Sequence, residues 1–161
     1  MRKIYRQWVK DYQDDVWSLA RYLLKDGTEA EDATQEAFTS LWRHRESVDP
    51  ARIKPWLMKV TRNECFDRLR RRRPETELDD SHMLQEGGPM MTTQQSELSQ
   101  WLAQAIAALS EPYRSLVILR DVQQHSYEAV AQTMNLSLSQ VKVYLHRARK
   151  LLREQLAELK P

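Results

Sequence analysis

Apolar residues recur along this chain at helical spacing, and the recurrence predicts one helix after another. Trp8, Tyr12, Val16, Leu19, Tyr22 and Leu23 share one face of a first helix over 4–25, and Asp26-Gly27 ends it. A second helix follows at once. Thr28 with Glu31 forms a capping-box pattern, and Ala33, Ala37, Phe38, Leu41 and Trp42 supply a buried stripe to about Arg45. Pro50 and Pro55 bracket a loop. Trp56, Leu57, Val60, Phe66 and Leu69 then mark a third helix, which runs into four consecutive arginines and stops at Pro74.

The periodicity fails from Pro74 to about Thr92, where acidic residues and Gly87-Gly88-Pro89 read as a linker. Leu98, Leu102, Ile106 and Leu109 restart the helical pattern, and Ser110-Glu111-Pro112 opens the next helix. The expected fold class is all-α: two small helical domains over 1–73 and 94–161, joined by an acidic linker over 74–93.

The most specific pattern lies at Ser126 to Arg153. A short helix ends at Asn135, a residue type that tolerates the left-handed conformation closing a helix. Ser137 with Gln140 forms an S-x-x-Q capping box, so a longer helix starts near Leu138. Its apolar positions Val141, Leu145, Ala148 and Leu152 fall on one stripe, leaving Gln140, Lys142, Val143, His146, Arg147, Arg149 and Lys150 on the outer surface. That is a helix-turn-helix whose second helix fits the DNA major groove, where Arg, Lys and Gln read base edges. An ordinary amphipathic helix with a solvated basic face shares much of this pattern.

Charge sharpens the division. The net charge of +2 splits into 17 basic against 12 acidic residues over 1–73, none against 6 over 74–110, and 8 against 5 over 111–161. Two basic blocks suit polyanions, and the acidic bridge does not. Cys65 has no disulfide partner, and a lone thiol fits a reducing cytoplasm. His44, His82, His125 and His146 are scattered without metal-ligand spacing. No apolar run approaches the roughly 20 residues of a bilayer span, and the first ten residues are too polar for a signal peptide. No glycine-rich phosphate loop, metal cluster or nucleophile-base pattern suggests an enzyme, and no cofactor is expected. Adjacent Asp14 and Asp15 diverge on a helix and make a poor acid-base pair.

Three segments in order, EAEDATQEAFTSLWR from Glu29, KPWLMKVTRNECFDRLRRRR from Lys54, and LSEPYRSLVILRDVQQHSYEAVAQTMNLSLSQVKVYLHRARKLL from Leu109, resemble the extracytoplasmic-function (ECF) sigma factors of bacterial RNA polymerase. The resemblance implies a factor that binds core RNA polymerase and directs promoter-specific initiation. Asp32, Gln35 and Glu36 would face the clamp helices of the largest catalytic subunit. The loop Ser47 to Pro55, with Lys54, Arg62, Asn63, Asp67, Arg70 and Arg71, would hold the opened minus-10 strand, and the run Arg68 to Arg73 would track its phosphates. At the minus-35 duplex, which Gln140 also meets, Lys142, Val143, His146 and Arg147 would approach base edges, with Arg149, Lys150 and Arg114 nearer phosphates. Val143 and Tyr144 depart from the small polar or basic residues usual there, which leaves the base preference open.

The resemblance also implies a contact with the flap of the second-largest subunit, an acidic linker (Glu75, Glu77, Asp79, Asp80, Glu86) in the RNA path, and an anti-sigma partner, commonly membrane-anchored. Trp56, which invites a base-stacking role, reads as core because it shares a stripe with Val60; Trp8, Trp17, Trp42 and Trp101 read likewise. The alternative is a stand-alone dimeric helix-turn-helix regulator, which leaves the WLMKVTRN segment unexplained and needs paired half-sites.

Overall fold

A computed structural model of the protein describes residues 1–76 and 93–159. No strand occurs among them. The chain divides between residues 77 and 78 into two compact units. Most of the expected linker, including Glu77, Asp79, Asp80, Glu86 and His82, lies outside the described residues.

The first unit is a three-helix packet of α1 (Arg2–Leu24), α2 (Gly27–His44) and α3 (Ile53–Thr76), each packed on both others. Its core is Val16, Leu19, Ala20, Leu23 and Leu24 of α1, Ala30, Ala33, Ala37, Phe38 and Leu41 of α2, and Leu57, Met58 and Cys65 of α3. The alanines let α2 approach closely, and the leucines fill the space between. Lys25 takes a left-handed conformation (φ 63°) that ends α1.

Three local expectations change. The cap of α2 is Asp26, whose Oδ1 accepts from the Thr28 N–H at 3.0 Å, so the helix starts at Gly27 and the Thr28–Glu31 box is not its start. An aspartate cap satisfies the same orphan donors and adds negative charge at the positive end of the helix. Between Pro50 and Pro55 the chain is mostly helical: Asp49 caps a 3₁₀ turn (Pro50–Arg52) and α3 begins at Ile53. Pro55 thus occupies the first turn, where its missing N–H costs nothing. Pro74 does not stop α3, which continues to Thr76; in a last turn a proline forfeits one intrahelical bond without ending the helix.

The buried stripe of α3 is Ile53, Leu57, Met58, Thr61 and Cys65. Trp56, Val60, Phe66 and Leu69, expected inside, are half-buried on its flanks. Trp8, Trp17, Trp42 and Trp101 are also half-buried; Trp42 meets Tyr5 edge-on at 4.9 Å and carries the Arg45 guanidinium at 3.7 Å over its face.

The second unit contains α4 (Thr93–Ala107), α5 (Tyr113–Val117), a π turn (Ile118–Val122), α6 (Tyr127–Met134) and α7 (Leu138–Leu159). Ala105, Ile106, Leu109, Leu116, Val117, Ile118, Leu119, Val130, Val141, Leu145 and Ala148 form its core. Among the described residues no helix is long and apolar enough to cross a membrane, and no cluster of His, Cys, Asp and Glu could hold a metal ion.

Candidate nucleic-acid interface

The turn between α6 and α7 is fixed at both ends by the sequence. Ser126 caps α6, its Oγ accepting from the Ala129 N–H at 3.0 Å. Asn135 closes that helix at φ 56°, ψ 48°, and Leu136 N–H bonds back to the Ala131 carbonyl at 3.0 Å. Ser137 and Gln140 then form the full reciprocal box: Ser137 N–H donates to Gln140 Oε1 at 2.9 Å, and Gln140 N–H donates to Ser137 Oγ at 3.1 Å. With Val130 and Thr133 of α6 and Val141, Leu145 and Ala148 of α7 buried, the second helix has a defined outward face. Leu152 is only half-buried.

Gln140, Lys142, Val143, His146, Arg147 and Lys150 are exposed on that face. Val143 is 48% exposed, an apolar side chain in water amid hydrogen-bonding neighbours. Two expected phosphate-binding residues are otherwise engaged. Arg149 grips Asp121 through Nε at 3.0 Å and Nη2 at 2.6 Å, and those hydrogen bonds hold its pKa above the ordinary arginine value. Arg114 donates to the Leu109 carbonyl at 3.1 Å and the Ala107 carbonyl at 3.3 Å, serving the unsatisfied C-terminal end of α4.

In the first unit, Asp32, Gln35 and Glu36 are exposed at steps of three and one on the outer side of α2. The stretch after α2 is pinned: the His44 carbonyl accepts from Ser47 N–H at 2.9 Å and Val48 N–H at 3.1 Å, and Val48 is buried. Asn63, Asp67 and Arg70 follow at steps of four and three on one exposed face of α3, with Asp67 ion-paired to Arg70. Lys54 and Arg62 are half-buried, and the Arg62 guanidinium lies 4.7 Å over the Phe66 ring.

The arginine run separates into two sets. Arg70 and Arg71 point outward, with side chains 68% and 70% exposed. Arg68 and Arg72 are about one-fifth exposed and point inward. Arg68 bonds to Glu64 at 2.7 Å; Arg72 pairs with Glu29 of α2 and donates to the Leu24 carbonyl of α1 at 2.9 Å. The signal was available in the spacing: Thr61, Cys65, Arg68 and Arg72 continue one stripe at steps of four, three and four.

The Sigma-70 region 2 family model matches residues 8–75, and the Sigma-70 region 4 model matches residues 99–152. The ECF RNA polymerase sigma factor SigW of Bacillus subtilis is 30% identical over 94% of this chain and 88% of its own length. SigM of the same organism, also an ECF RNA polymerase sigma factor, is 30% identical over 88% of both chains. In fold the chain is similar to the sigma factor RpoE of Bartonella quintana, solved in complex with the anti-sigma factor NepR, with a TM-score of 0.78 at 24% identity over 97% of this chain and 98% of that one. Two such regions in order, on a chain matched nearly end to end by these relatives, mean promoter-specific transcription initiation with RNA polymerase. The chain belongs to the ECF RNA polymerase sigma factors.

Proposed function

We propose that the two units divide promoter recognition. The 1–73 unit opens and holds the minus-10 element, the 94–161 unit reads the minus-35 duplex, and the 74–93 segment joins them. The observation that carries this is the outward face of α7, where Gln140, Lys142, Val143, His146, Arg147 and Lys150 are presented together by a turn capped at both ends. Lys142, His146 and Arg147 offer donors to base edges, and Val143 offers an apolar contact to a thymine methyl. Lys150 serves phosphates. Arg114 belongs to the same assignment, but in the free chain it holds the Leu109 and Ala107 carbonyls, and Arg149 is held by Asp121.

On the first unit, Asn63 provides both donor and acceptor toward a flipped base, with Lys54, Arg62, Asp67, Arg70 and Arg71 around it. Asp32, Gln35 and Glu36 form the face for the polymerase clamp helices, while the second unit meets the flap of the second-largest subunit. The factor works by binding rather than by catalysis, in the cytoplasm where polymerase resides. A structural relative is solved in complex with an anti-sigma factor, and a comparable partner, anchored at the membrane, is proposed for this chain.

Arg147→Ala tests the base-reading assignment. Holoenzyme carrying it should lose about 1–3 kcal/mol of promoter affinity, with the loss depending on the minus-35 sequence. A uniform loss across sequences would make Arg147 a phosphate contact instead.

A further inference from the structure

One edge of α7 is tied to the rest of its unit by polar groups, among them Asp121 and Arg120, which the base-reading assignment leaves without a task. Asp121, in the π turn, accepts both hydrogen bonds of the Arg149 fork. Beside it Arg120 lays its guanidinium 4.4 Å over the Tyr127 ring and donates to the His125 carbonyl at 2.8 Å. Lys142 Nζ lies 6.0 Å from the centroid of that same ring. Arg149 stands three residues beyond His146 and seven beyond Lys142, on the flank between the outward face and the buried Leu145.

A bidentate guanidinium–carboxylate pair accepts one planar geometry, so it resists both rotation and sliding of the helix that carries it. That resistance matters at this radius. Side-chain tips lie about 5–6 Å from a helix axis, so a turn of about 10° moves them about 1 Å. Hydrogen bonds to base edges tolerate only a few tenths of an ångström. Most exposed ion pairs contribute little, but the exceptions are those with this fork geometry.

We infer that Asp121 is a positioning residue for minus-35 recognition: its carboxylate holds Arg149 as a strut that sets the rotation of α7, so Arg149 serves recognition through Asp121 rather than by gripping a phosphate. The inference rests on the minus-35 assignment of α7.

The test uses holoenzyme assembled with the full chain. Its affinity is measured for a promoter fragment carrying the selected minus-35 element and for the same fragment with that element scrambled, from about 50 to 200 mM salt. The parent discriminates between the two. Asp121→Asn and Arg149→Gln each lower that discrimination about tenfold, and the double variant loses no more than either alone. Both leave the salt slope unchanged. Asp121→Glu, which keeps the carboxylate on one more methylene, falls between the parent and Asp121→Asn, and circular dichroism confirms that each variant folds.

A parent that does not discriminate removes the minus-35 assignment itself. With a discriminating parent, two results overturn the strut. One is an Arg149→Gln variant that weakens on both fragments alike with a salt slope lower by about one unit, the signature of a lost phosphate contact. The other is an Asp121→Asn variant that discriminates as the parent does.

Discussion

Arg72 shows how a residue in a basic run can serve the fold rather than a ligand. It joins α3 to the Glu29 carboxylate of α2 and the Leu24 carbonyl of α1, so one side chain ties all three helices. Arg72→Ala should destabilise the protein by about 1–2 kcal/mol in urea unfolding, because the partly exposed Glu29 carboxylate and the carbonyl of buried Leu24 both lose a charge-assisted donor. Arg70→Ala, at an exposed position, should change stability by less than about 0.5 kcal/mol. Cys65 supplies a second test. Burial, reinforced by the Glu64 carboxylate, pushes its thiol from 9.0 up to about 12. The folded thiol therefore keeps its proton where the unfolded one loses it. Its contribution to stability is complete below about pH 9 and is lost as pH rises toward 12. Since the thiolate is the nucleophile, iodoacetamide at about pH 8 should label the chain in urea and spare the native protein. At this scale the sequence announced the charge of the arginines plainly, and their direction only through the spacing that sets Arg68 and Arg72 on the stripe of Thr61 and Cys65, which the unbroken run Arg70 to Arg73 obscures.

The elements were most legible where a turn is dictated by local chemistry. Asn135 and the Ser137–Gln140 box act within a few residues of themselves, so tertiary packing has little to override. At φ 56° a Cβ is crowded, and Asn135→Ala should cost about 1–2 kcal/mol in thermal unfolding while Asn135→Gly stays near neutral. Elements were less legible where two local signals competed. Asp26 and Thr28 both offer a capping side chain at the start of α2, and the carboxylate one residue before the first helical position takes the cap. On α3 the apolar spacing puts Trp56 and Val60 on the stripe, whereas Met58, Thr61 and Cys65 fill the interior. Large apolar side chains drew the periodicity toward the flank, and a threonine that bonds its own helix at the Leu57 carbonyl (2.7 Å) entered the core unannounced. The Asp121–Arg149 fork had no sequence signal, since 28 residues separate its partners.

For the molecule as a whole, the all-α class was readable from sustained helical periodicity, and the assignment to initiation came from three segments in order rather than from any single residue. Charge division pointed the same way: basic blocks on either side of an acidic bridge suit a factor that meets DNA with two separate units. Base contacts and polymerase contacts are harder to read than the fold, because both depend on surfaces that complete themselves only against a partner. The most direct measurement is run-off transcription with purified core RNA polymerase, with and without this chain, on a pool of promoter fragments at a stated salt concentration. New transcripts are expected from a subset of fragments sharing minus-10 and minus-35 sequences, and are lost when Asp32, Gln35 and Glu36 are replaced together by alanine. Absence of any chain-dependent transcript, together with a shift of duplex DNA containing two half-sites by the chain alone, would contradict it.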